Sequence, residues 1–186
     1  MKRLTWIFIL IGIVCIAHAQ SYQGSIATTD FITDLTILQD DNTTGVPNGW
    51  LCHIVLPGTD GLIDPPNPDG SPGGDDFLVT GVPGNNFYEF GWDSSWTGIQ
   101  GQHYGTAVFL WFAAGQGTEP CANAGENFYL RLFDDPIISG ATKYLNSALF
   151  SLPAAMSDLY FNTIAHWDYE TQFNWQNITD GTPGTD

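Results

Sequence analysis

Asn127-Phe128-Tyr129-Leu130-Arg131-Leu132-Phe133 sets Phe128, Leu130 and Leu132 on one side of an extended chain and Tyr129, Arg131 and Phe133 on the other. A period of two marks a strand, because successive side chains point to opposite faces of a sheet. Upstream of it, Thr106 to Ala113 is continuously apolar, as expected of a buried central strand, and Trp50 to Leu56 is rich in β-formers. Ile32 to Leu38, Phe77 to Thr80 and Asn86 to Phe90 add shorter strands, each bounded by Gly, Pro, Asn or Asp. Downstream, Tyr144 to Leu152 and Leu159 to Trp175 complete the set, with a short helical turn as the alternative over Ala154 to Tyr160. Crossover helices are missing and no repeat period is evident. The expectation is therefore an all-β chain, an antiparallel β-sandwich or jelly roll of about eight strands.

The two ends stand apart from this pattern. Lys2 and Arg3, the apolar run Leu4 to Ala17 and the small-x-small triplet Ala17-His18-Ala19 read as a secretory signal peptide over residues 1–19. Residues 20–178 then form the β domain, and the last eight residues, 179–186, lack any apolar side chain and read as a flexible tail or linker. Without the leader, two basic side chains, Arg131 and Lys143, face twenty carboxylates, a net charge of −18. So acidic a surface excludes ordinary nucleic-acid binding and attraction to anionic lipid. No later segment approaches the roughly 20 apolar residues of a spanning helix. The expected location is secreted or cell-surface, and in that oxidising compartment Cys52 and Cys121 are expected to pair, a cross-link worth about 4 kcal/mol.

Two segments carry candidate chemistry. From Asp60 to Asp76, five carboxylates and the Asn67 amide crowd seventeen residues that also hold four prolines. Against the calcium-loop template, a frame starting at Pro65 puts Asn67, Asp69, Gly70 and Asp76 at positions three, five, six and twelve. Proline at the first position and the lack of flanking helices exclude an EF-hand, but a looser oxygen cage for calcium from Asp64, Asn67, Asp69 and Asp76 stays open. Its alternative is a solvated acidic loop. The second segment places Tyr88, Trp92, Asp93 and Trp96 among Gly, Asp and Ser, where rings are harder to bury. Flat rings beside acceptors suit stacking on sugar faces.

Catalytic templates are absent. There is no G-x-S-x-G elbow, H-E-x-x-H pair or phosphate loop, and His53, His103 and His166 stand far apart in sequence. A glycosidase needs two facing carboxylates, for which Glu89 and Glu170 are the best available pair. The stretch Asp64-Pro65-Pro66-Asn67-Pro68-Asp69-Gly70-Ser71-Pro72-Gly73-Gly74-Asp75-Asp76, with the leader and the turn-rich strands, resembles β-sandwich modules of secreted, surface-associated bacterial proteins. That resemblance implies adhesion, carbohydrate binding or a structural part in an envelope or matrix, and transfers no residue roles. Two expectations follow. One is a non-catalytic module that binds an extracellular glycan or surface protein, with calcium as its candidate cofactor. The other is a structural protein that self-associates through sheet edges poor in gatekeeping lysines; a glycoside hydrolase ranks below both.

Overall fold

The computed structural model describes residues 21–27, 36–79, 89–95, 98–102, 104–116, 122–154, 160–162 and 175–178, with backbone alone over 21–27, 104–110 and 160–162. The leader 1–19, the tail 179–186, Tyr88, Trp96, Cys121, His103, His166 and Glu170 lie outside the described residues. Among the described residues, ten strands and one 3-10 turn make an all-β fold: β1 Ser21–Ala27, β2 Leu51–Leu56, β3 Phe77–Leu78, β4 Glu89–Gly91, β5 Tyr104–Phe112, β6 Asn127–Phe133, β7 Lys143–Asn146, β8 Phe150–Ser151, β9 Tyr160–Asn162 and β10 Gln176–Asn177.

They form two sheets. The larger has the order β10-β7-β6-β2-β3, every pairing antiparallel, with β4 also on β2 and β8 also on β6. The smaller has the order β5-β1-β9, where β1 runs antiparallel to β5 and parallel to β9. Strand β6 occupies the span its alternation predicts. Of the Ile32 to Leu38 strand, the described end shows a single bridge, Leu38 to Gly45. Strands β1 and β10 carry no comparable alternation and are additions to the expected set.

The two faces of β2 and β6 are used differently. Cys52, Ile54 and Leu56 of β2, with Phe128, Leu130 and Leu132 of β6, form the main core together with Ile37, Val46, Trp92 and Trp111. Trp111 brings β5 into this core, and its indole N–H donates to the Pro153 carbonyl at 3.1 Å. Phe128 stacks on Phe150 at 4.8 Å. The opposite face is also buried but polar: His53, Tyr129 and Arg131 share it with Val55, Phe133 and Tyr144. Both faces of the central strands are thus covered, so the side of β6 that holds Arg131 does not face water.

The expected Cys52–Cys121 disulfide is not found among the described residues, which include Cys52 but not Cys121. Cys52 is a free thiol, fully buried in the main core, and burial pushes its pKa well up. It packs as a small apolar residue beside Ile54 and Leu132, a common fate for an inert core cysteine.

Candidate metal centre

The acidic segment is the connection between β2 and β3. Because Leu56 and Phe77 pair across these strands, the two ends of the loop are held side by side. The neck therefore brings together residues distant in sequence. Thr59 donates its backbone N–H and its hydroxyl to Asp75 Oδ2, at 2.6 and 2.7 Å, and Gly58 N–H donates to Asp76 Oδ1 at 3.2 Å. Glycine is required for this approach. A Cβ on Gly58 would stand 2.1 Å from Asp75 Cγ, and one on Gly74 would stand 1.7 Å from Asp64 Oδ2.

One carboxylate oxygen each from Asp60, Asp64 and Asp75 lies within 4.8 Å of the other two. That spacing lets a single cation touch all three, since calcium–oxygen contacts run to about 2.6 Å. Asp60 and Asp75 are exposed and Asp64 half-buried. The remaining ligands of a six- to eight-coordinate ion would be backbone carbonyls and solvent. Thr59 holds the Asp75 carboxyl below its ordinary pKa, chiefly through the hydroxyl bond, so it stays charged and available as a ligand.

Of the four expected ligands, only Asp64 belongs to this cluster. Asn67 spends its amide N–H groups on Ser71 Oγ and the Pro72 carbonyl, at 3.0 and 2.7 Å. Asp69 accepts from Ser71 N and Oγ at 3.0 and 2.6 Å, bonds that lower its pKa. These two close a turn of their own. Asp76 is turned inward, accepting from the Tyr129 hydroxyl at 2.6 Å and from Asp64 N–H at 2.9 Å. Burial raises its pKa, although those bonds and Arg131 oppose the rise.

Arg131 completes the attachment of the loop to the sheet. Its guanidinium is fully buried between the Tyr129 and Tyr144 rings, 5.2 and 5.1 Å from their centroids. Nε donates to Asn146 Oδ1 at 2.8 Å, and Nη2 donates to the Asp64 carbonyl. Asp64 is therefore gripped at both ends of its backbone, its N–H by Asp76 and its carbonyl by Arg131. No protein-family model, curated protein or solved structure matches the chain. The reading of the site rests on its own chemistry.

Beside the carboxylates lies a cleft of about 740 Å³, lined by the apolar Leu56, Pro57 and Phe77 and by Thr59, Asp75 and Glu126 among others. Asp75 belongs to both the cluster and the cleft. Glu126 is oriented by Asn123, whose backbone and amide N–H groups it accepts at 2.8 and 3.1 Å.

The expected aromatic site divides differently. Trp92 is wholly buried in the main core and offers no face to a sugar. Asp93 accepts from Ser95 N–H at 2.8 Å, which fixes a local turn. Tyr88 and Trp96 lie outside the described residues. Of the carboxylate pair, Glu89 is half exposed and reaches 3.3 Å from His53 Nε2, and Glu170 lies outside the described residues.

His53 is a further residue the sequence did not single out. It sits between Glu89 and Arg131 in the sheet register and packs edge-on against Phe133 at 4.9 Å. Burial, reinforced by the Arg131 charge, lowers its pKa from 6.5 to about 4. Glu89 does not reverse this: its carboxylate is half in solvent and its approach lacks hydrogen-bond geometry. The unfolded chain takes up this proton near pH 6.5 and the folded chain only near pH 4. More protons are then bound by the unfolded state inside that window, so stability falls as pH falls through it. The full loss should approach about 3 kcal/mol at pH 4, at about 1.36 kcal/mol per pH unit. Urea unfolding of the parent and of His53→Phe at pH 7, 5.5 and 4 measures it; parallel pH profiles for the two would refute the assignment.

Proposed function

We propose that the chain is a secreted, non-catalytic β-sandwich module for extracellular binding, whose β2–β3 loop holds a calcium ion and whose adjoining cleft receives the ligand, a glycan or a surface protein. One observation carries this reading: Asp75 is at once a member of the three-carboxylate cluster and a wall of the cleft. A cation there would neutralise like charges that otherwise repel, and would hold that wall in place. The leader-like N-terminus and the acidic surface support an extracellular setting. For the assembly alternative the sheet edges divide: β3 and β10, at the ends of the main sheet path, are two residues long and offer little ladder to a second chain, whereas β5, at an end of the smaller sheet, runs nine residues.

Thermal unfolding with calcium and then with chelator tests the metal. An ion at 100 times its Kd should stabilise by about 2.7 kcal/mol, a rise of about 5–10 °C for a domain of this size. Asp60→Asn combined with Asp75→Asn should abolish the rise, whereas Asn67→Ala combined with Asp69→Asn should retain it, since those residues fold their own turn. Absence of any rise in the parent would return the loop to plain solvated surface. Glycan and surface-protein arrays probed with and without calcium then test the ligand-binding half of the proposal.

A further inference from the structure

The ligand chemistry of the cleft follows from what its walls lack. Its apolar lining comes from Leu56 and Pro57, both buried, and the partly exposed Phe77, and its charged lining among the described residues is the acids Asp75 and Glu126. Leu62, next to the cleft-lining Gly61, stands 63% exposed. Neither basic residue beyond the leader is available to these acids. Arg131 is fully buried against Asn146 and Asp64, and Lys143 pairs with Asp40.

We infer that the cleft seats a basic side chain, arginine above all, presented by a partner protein: the aliphatic stem lies on Leu56, Pro57 and Phe77, and the guanidinium meets Glu126, with Asp75, the carboxylate the cleft shares with the metal cluster, as a second acceptor when no cation holds it. This rests on the binding-module reading and selects a protein partner over a glycan. The match is one of charge and shape together. A long basic side chain buries an apolar stem while keeping its charged head among acceptors. A guanidinium offers five donors in a fixed fork suited to carboxylates, and it gains from the face of an aromatic ring. A second copy of this chain is a poor occupant, because two bodies of charge −18 repel and neither has a basic side chain to spare.

Titration of the purified chain with an end-capped Gly-Arg-Gly peptide, in chelator at 0.15 M salt, followed by two-dimensional NMR, tests the inference. The expected result is saturable binding, with shifts centred on Leu56, Thr59, Phe77 and Glu126. Glu126→Gln should weaken it about tenfold, the loss of one hydrogen bond to a charged group. Phe77→Leu, which keeps the lining apolar but removes the ring, should weaken it less. Glu126 lies outside the three-carboxylate cluster, so Glu126→Gln should leave the calcium-induced rise in Tm unchanged. No saturation, or binding indifferent to both substitutions, would overturn the inference, the latter outcome being diffuse attraction to an acidic chain. Loss of the calcium response with peptide binding intact would instead count against the metal and leave this cleft standing.

Discussion

Replacing Arg131 with methionine is expected to lower stability by about 3–5 kcal/mol, the range for removing one member of a buried charged network. In urea this appears as a lower midpoint with an unchanged slope. The sign needs argument, because methionine also relieves the cost of burying a guanidinium, and burial does lower the Arg131 pKa. Against that relief stand two orphaned acceptors, Asn146 Oδ1 and the Asp64 carbonyl, at about 1–3 kcal/mol each. The contacts of the cation with the Tyr129 and Tyr144 rings go as well, and desolvated pairs of that kind are worth about 2 kcal/mol. Losses therefore outweigh the gain. Arg131→Lys should restore little, since a point charge cannot reach Asn146 and Asp64 together as the planar fork does. A methionine variant as stable as the parent would show that the guanidinium is tolerated rather than needed.

The same substitution reaches the candidate metal cluster. Asp76 would keep the Asp64 N–H, but the Asp64 carbonyl would lose its anchor, and the cluster carboxylate would be freer to move. If the cluster holds calcium as proposed, its affinity should fall with no ligand altered, as happens when groups that orient ligands are removed. The polar face of the main sheet thus links the fold to the acidic loop: Tyr129 and Arg131 look like ordinary alternation in β6, yet they fasten the loop that carries the carboxylates.

How far this was legible in the sequence depends on the range over which each signal acts. The alternation of β6 and the apolar runs of β2 and β5 are local, and they give the all-β class and these strands. Crowding of carboxylates between Asp60 and Asp76 is local too, so the acidic loop stood out. Which carboxylates meet is not local. A twelve-position template selects neighbours along the chain, Asn67 and Asp69, whereas the Leu56–Phe77 pairing closes the loop at its neck and selects Asp60 and Asp75. The position of Asp60 and Asp75 near the two strand ends was a usable signal, because the ends of any hairpin loop must meet. His53 gave no such sign. Its burial depends on neighbours from β4 and β6 that only the sheet register supplies.

Trp92→Ala is expected to cost about 3–5 kcal/mol, the range for emptying the place of a large buried aromatic. The ring is wholly buried in the main core, and its backbone is held at both ends, its N–H donating to the Trp50 carbonyl and its own carbonyl accepting from Gly49, each at 2.6 Å. Gly91, Asp93, Ser94 and Ser95 around it predict exposure, but the polar groups among them are spent inward. Asp93 ties down Ser95, and Ser94 donates its N–H and hydroxyl to Asn48 Oδ1 at 2.7 and 2.6 Å, from a residue 46 positions away. That long-range clamp folds the segment back against the sheet and turns the indole into the core. Chemical unfolding separates the two roles, since a ring displayed for sugar stacking could be removed with stability almost unchanged. Trp92→Phe should recover part of the loss by refilling part of the volume, and an alanine variant as stable as the parent would place the ring back at the surface and restore it as a ligand contact.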